Sequence, residues 1–182
     1  MTVKNSSGVG LKTVAVLLIF GGVTGFIPAF RQSYRHMHGE EISQLGIPIL
    51  SMILFGWSAW VGFRLWRGAP SSIRQAFVLF ALQVLELGIL GCAYEFSTGL
   101  SLRVTVGGHA VDAAQAGPSH YLLFGGNLGS SLNLKTSGGE AGWMIGINLV
   151  ALGVCGYLVK RLRTRNVAAS DAIDSSSTVA QA

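Results

Sequence analysis

Apolar positions gather in four runs, residues 11–30, 46–66, 73–94 and 141–160, separated by polar or glycine-rich stretches. Each is close to the ~20 residues that a helix rising about 1.5 Å per residue needs to cross ~30 Å of hydrocarbon. A segment in lipid must satisfy its own backbone N–H and C=O groups, which only a helix or a closed barrel does. Read as whole runs, these segments lack the apolar–polar alternation of barrel strands, so the pattern predicts four transmembrane helices. Lys4 and Lys12 ahead of the first run also describe a secretory signal. That run is long for a signal core, and Ile27-Pro28-Ala29 is a poor small-x-small cleavage site, so an uncleaved helix is expected.

The connections refine this picture. A polar loop, 31–44, follows the first run, and Pro48 sits near the start of the second, where its missing N–H costs little. The turn 67–74 is short, which makes the second and third helices an antiparallel pair. Residues 95–140 are too many for a bare connector. Within them, Leu100, Leu102, Val104 and Val106 alternate with polar positions, 120–124 reads as a second strand, 131–135 alternates again, and Gly125-Gly126-Asn127 reads as a turn. The expected fold is therefore an all-α integral membrane protein, a four-transmembrane-helix bundle with a small antiparallel β-hairpin or sheet cap in the loop between helices 3 and 4. Residues 1–10 form a short polar N-terminus, and the patternless stretch 166–182 is expected to be a disordered tail.

Composition agrees with a membrane solvent: half the residues are hydrophobic and 12% are charged, against roughly a quarter in soluble domains, and mean hydropathy is +0.51. The net charge of +5 reads as topology rather than nucleic-acid binding. With the N-terminus inside, nine Lys and Arg (4, 12, 64, 67, 74, 160, 161, 163, 165) face the cytoplasm and four (31, 35, 103, 135) face out. That bias favours both termini cytoplasmic in a multi-pass cell-membrane protein, with a bacterial inner membrane the expected setting. Lys160, Arg161, Arg163 and Arg165 form a stop-transfer anchor able to attract anionic lipid headgroups.

Candidate chemistry centres on Glu86, because a carboxylate inside a span is costly, about 2.5–3.5 kcal/mol on insertion scales. Counted from the cytoplasmic ends, Thr24 and Asn148 fall at its depth, Gln83 lies one turn earlier, and Ser51 is slightly further out. One reading makes this layer a proton, cation or polar-ligand site. The other makes Glu86 neutral interhelical glue. Gly21-x-x-x-Gly25, Gly142-x-x-x-Gly146 and Ser58-x-x-x-Gly62 have the small-residue spacing that lets helices approach closely, either within the bundle or at a dimer face. Trp57 and Trp60 read as packing residues. Cys92 and Cys155 differ by roughly 20 Å in depth and are expected to be unpaired.

His36, His38, His109 and His120 fall outside with Glu40, Glu41, Glu95 and Asp112 near them in sequence, but nothing in their spacing makes a metal site. No nucleophile–base order, zinc motif or phosphate-cradling loop is present, and no cofactor is implied. The expected function is a non-enzymatic accessory, assembly or sensing component that meets the bilayer and a membrane-protein partner or a second copy of itself. The alternative is a small transporter or channel-like subunit using Glu86. A membrane enzyme ranks third.

Overall fold

The computed structural model describes residues 7–38, 45–89, 92–109, 119–136 and 142–179. In chain order the elements are α1 (Ser7–His38), α2 (Gly46–Trp66), α3 (Ser72–Val84), β1 (Leu85–Ile89), β2 (Cys92–Ser97), β3 (Leu100–His109), β4 (Ser119–Leu128), β5 (Ser131–Thr136), β6 (Gly142–Asn148) and α4 (Leu149–Val179). The strands form one antiparallel sheet in the order β4-β3-β6-β1-β2-β5.

The all-α four-span bundle is therefore overturned. Among the described residues two helices, Gly8–Met37 and Gly46–Trp66, are long and apolar enough to cross a membrane. The third run divides into α3, whose 13 residues reach only about 20 Å, followed without a linker by β1. The fourth begins as β6 and turns helical only at Leu149. The reason lies in side-chain alternation. Leu85, Leu87 and Ile89 alternate with Glu86 and Gly88, and Trp143, Ile145 and Ile147 alternate with Gly142, Met144, Gly146 and Asn148. This period of two puts one set on each face of a strand. The region expected as a small cap thus recruits flanking residues into six strands. Gly125-Gly126-Asn127, expected as a turn, continues β4, and the chain reverses at Gly129 instead, where φ is +145°. α4 extends to Val179, into the stretch read from its sequence as a disordered tail.

Two short links force the sheet to curl. Thr98–Gly99 joins β2 to β3 across two intervening strands, and Gly129–Ser130 joins the two edge strands, β4 and β5. Two linking residues span at most about 11 Å, whereas three strand spacings take about 14 Å and five about 24 Å along a flat sheet. The links also hold each other, through Gly129 N–H donating to Gly99 C=O at 2.7 Å.

Two cores result. The lower one packs Val14, Ala15 and Leu18 of α1 with Val61 and Leu65 of α2, Ile73, Ala76, Leu79 and Phe80 of α3, and Ala151, Cys155 and Leu158 of α4. In the upper one, Ala29 and Phe55 meet Phe96 of β2, whose ring lies 5.8 Å from that of Phe55. Small residues let α1 and α2 close: Ser58 donates to Leu18 C=O at 3.1 Å, and a Cβ on Gly62 would sit 2.9 Å from Ala15 O. Gly25 lies under the Phe55 ring and Gly21 against the Thr98–Gly99 backbone. Gly142 and Gly146 lie on β6, so their spacing is not a helix-packing motif. Trp57 flanks the lower core, and Trp60 lies outside it under the Arg64 guanidinium.

Both cysteines are free, Cys92 exposed and Cys155 buried. A maleimide should therefore modify Cys92 quickly and Cys155 only after unfolding, as mass spectrometry of the C92S and C155S variants would show.

Candidate functional site

The strand registers sort every side chain of the central sheet onto one of two faces. On the outer face Leu85, Ile147, Val104 and Phe124 form one row, and Leu87, Ile145, Val106 and Leu122 the next. On the inner face the corresponding rows run Glu86–Gly146–Thr105–Leu123 and Asn148–Arg103–Gly125, with Leu123 at the sheet's edge exposed. Polarity is inverted relative to a water-soluble sheet. Glu86, Ser97, Ser101, Thr105 and Asn148 are buried, while most of the outer Leu, Ile and Val side chains are exposed.

At the centre of the inner face stands Arg103. Its Nη1 donates to Glu95 Oε1 at 2.5 Å and to Glu86 Oε2 at 3.4 Å. Glu86 Oε1 is equally near that nitrogen, at 3.4 Å, yet has no hydrogen bond. Gly146 makes the arrangement fit, since a Cβ there would lie 3.0 Å from both Glu86 Oε2 and Thr105 Oγ1. Leu87 pairs with Tyr94, so Glu86 and Glu95 project from neighbouring strands onto the same face. Two carboxylates so placed repel unless a cation stands between them.

The other residues expected in one polar layer are dispersed. Gln83, fully buried, donates to Thr98 Oγ1 at 2.9 Å and accepts from Thr98 N–H at 3.0 Å, tying the end of α3 to the β2–β3 link. Asn148 Oδ1 accepts from Val150 N–H at 3.1 Å, Ala151 N–H at 3.3 Å and Leu102 N–H at 3.4 Å, capping α4 where it leaves the sheet. Its Nδ2 is buried without a hydrogen bond. Asn148→Ala should cost about 0.5–2 kcal/mol, the usual worth of such a cap, read as a shifted denaturation midpoint. Thr24 bonds to Phe20 O, Gly21 O and Ser130, and Ser51 to Ile47 O; neither reaches Glu86.

No family model, no curated protein and no solved structure matches the chain. The site therefore rests on its own geometry. Sequence reasoning missed Arg103 and Glu95, taking one as an outward topology marker and the other as a neighbour of the histidines. The signal was present: the alternation from Leu100 to Val106 that defines β3 sends Arg103 to the face opposite the leucines. Among the described residues no three His, Cys, Asp or Glu side chains converge as metal ligands. His120 lies edge-on to Trp143, ring centroids 6.2 Å apart.

The opposite end of the molecule is basic. Lys12 lies over Trp66, Arg64 over Trp60, Arg67 over Phe63 and Arg161 over Tyr157. These contacts, with Gly10 of α1 against the Tyr157 ring, bring the start of α1, the end of α2 and the middle of α4 to one level. Lys160 and Arg163 continue α4 there; the side chain of Arg165 lies outside the described residues.

Proposed function

We propose that the chain is a membrane-embedded component without chemistry of its own, an accessory, assembly or sensing part that works through a membrane partner. One observation carries this reading: the sheet hides its charges on the inner face and exposes its apolar residues, beside two helices long and apolar enough to cross a bilayer. Such inversion suits hydrocarbon, as in transmembrane barrels whose lumen is polar and whose outside is apolar. The basic end rich in cation–π pairs suits the cytoplasmic interface, with α1 and α2 crossing from it and Arg31 and Arg35 beyond the far end. Alkaline carbonate extraction of membranes tests the reading. The full chain should stay in the pellet, and its release to the supernatant overturns the proposal.

A second reading, proton or cation handling at Glu86, is favoured by a buried Oε1 that accepts no hydrogen bond and by two carboxylates sharing one guanidinium, a group one positive charge short of neutrality. Infrared difference spectra of wild type and Glu86→Gln across a pH step should show a carboxyl protonation band that the variant lacks; identical spectra remove this reading.

A further inference from the structure

We propose that the basic end of the molecule holds an anionic phospholipid, its phosphate among Lys12, Arg64 and Arg67 and its glycerol region against Trp60 and Phe63. Trp60, Phe63, Arg64 and Arg67 stand at i, i+3, i+4 and i+7 along α2 and its C-cap, a spacing that puts them on one helix face. The face is open, with Trp60, Phe63 and Arg67 exposed and Arg64 half-buried. Each ring lies one turn, about 5.4 Å, nearer the middle of the helix than the guanidinium above it. Arg64 is 4.6 Å from the centre of the Trp60 ring and Arg67 4.2 Å from that of Phe63. From α1, Lys12 brings a further cation to this level, 5.5 Å from the centre of the exposed Trp66 ring.

The rings position these cations without neutralising them. A cation over an aromatic face keeps its charge, and its outward N–H groups can still donate. Among the residues whose side chains are described, the carboxylates are Glu86 and Glu95, both in the sheet and both paired with Arg103. Neither α1 nor α3, which begin at the basic end, has an acid in its first turn. Asp171, the first acid of α4, follows Arg163 by about 12 Å of helix. Arg64 directs one donor at Ser71 Oγ, 2.9 Å away. The end of α2 makes no demand on the guanidinium groups, because its last carbonyls accept from the Arg67, Gly68 and Ala69 N–H groups.

The order of rings and cations selects the occupant. A free phosphate would meet the cations and leave the exposed rings beneath them uncovered. A phosphate joined to an apolar body covers both, with its charge level with Arg64 and Arg67 and its ester region level with Trp60 and Phe63. Aromatic rings at the edge of the hydrocarbon with Lys and Arg just beyond them is also the sequence of layers that a bilayer leaflet imposes. The inference rests on the membrane reading and narrows it, from a helix that ends at the interface to a face that discriminates among headgroups.

Native mass spectrometry of the full chain in non-ionic detergent, titrated with phosphatidylglycerol or phosphatidylcholine of identical acyl chains, tests the site. The anionic lipid should bind about tenfold more tightly, because each cation at the phosphate level favours it. Arg64→Gln/Arg67→Gln should bring the two lipids within about twofold of each other while leaving the circular-dichroism spectrum unchanged. Arg31→Gln/Arg35→Gln, which removes the same charge from the far end of α1, should keep the preference. Inorganic phosphate should not displace the bound lipid. Equal binding of the two lipids, equal loss from the two charge-matched variants, or displacement by inorganic phosphate overturns the proposal. Carbonate extraction separates the two failures: a released chain that still prefers the anionic lipid in detergent loses the membrane reading and keeps the site, and a membrane-bound chain without the preference does the reverse.

Discussion

Arg103→Leu should lower stability by about 1–3 kcal/mol, the usual cost of leaving a buried polar group without its partner. The loss comes less from the missing attraction than from what remains: the Glu86 carboxylate, 2% exposed, and Glu95 beside it with no cation between them. Two companion variants separate these causes. Removing the stranded charges in the triple variant Arg103→Leu/Glu86→Gln/Glu95→Gln should recover most of the loss. Arg103→Lys should also retain much of the wild-type stability, because one nitrogen, Nη1, serves both carboxylates. A two-nitrogen fork would have made lysine a poor substitute. Denaturant unfolding of the detergent-solubilised full chain supplies the values; an Arg103→Leu protein as stable as wild type would mean that the carboxylates find another partner.

Gly21→Leu is expected to be comparably severe for a steric reason. A Cβ at this position would lie 2.6 Å from the Thr98 carbonyl carbon and 2.8 Å from Thr98 Cβ. The backbone it meets cannot retreat. Gly99 takes φ +81°, its own Cβ position is 2.8 Å from Leu17 O, and its carbonyl accepts from Gly129 N–H. α1 and the β2–β3 link thus touch glycine to glycine. Even Gly21→Ala should cost about 1–3 kcal/mol as an overpacked contact, and leucine more, by parting α1 from the sheet. Gly25→Ala should cost a similar amount, since a Cβ there would lie 2.6 Å from Cγ of Phe55, whose ring is buried against Ala29 and Phe96. Gly8→Ala, with nothing within 4 Å, is the control and should be neutral or mildly stabilising. If Gly21→Ala matches Gly8→Ala in denaturation midpoint, the close approach does not hold.

The first two apolar runs were legible because a long stretch without alternation has one economical conformation. The third and fourth were misread for a definite physical reason. Hydropathy averaged over a span-length window registers Leu85, Leu87 and Ile89 but is blind to the period of two that separates them from Glu86 and Gly88. The glycines completed the disguise. Gly142 and Gly146 look like helix-packing residues, whereas Gly146 makes room on a strand for the Glu86 carboxylate. Glu86, Gln83 and Asn148, singled out as polar groups within apolar runs, are all three buried. Their partners were not legible, because Arg103, Glu95 and Thr98 come from a segment whose place in the sheet depends on pairings far apart in sequence. Thr24 and Ser51 show the converse: equal depth along helices does not bring side chains together once one neighbour is a strand.

The junctions at Val84–Leu85 and Asn148–Leu149 contain no intervening loop, so helix and strand share a continuous backbone on both sides of the sheet's centre. A side chain at each junction holds it, Gln83 to Thr98 on one side and Asn148 to Leu102 on the other. Glu86 therefore stands three residues beyond a clamped point, and the direction in which α3 ends fixes where its carboxylate enters the sheet.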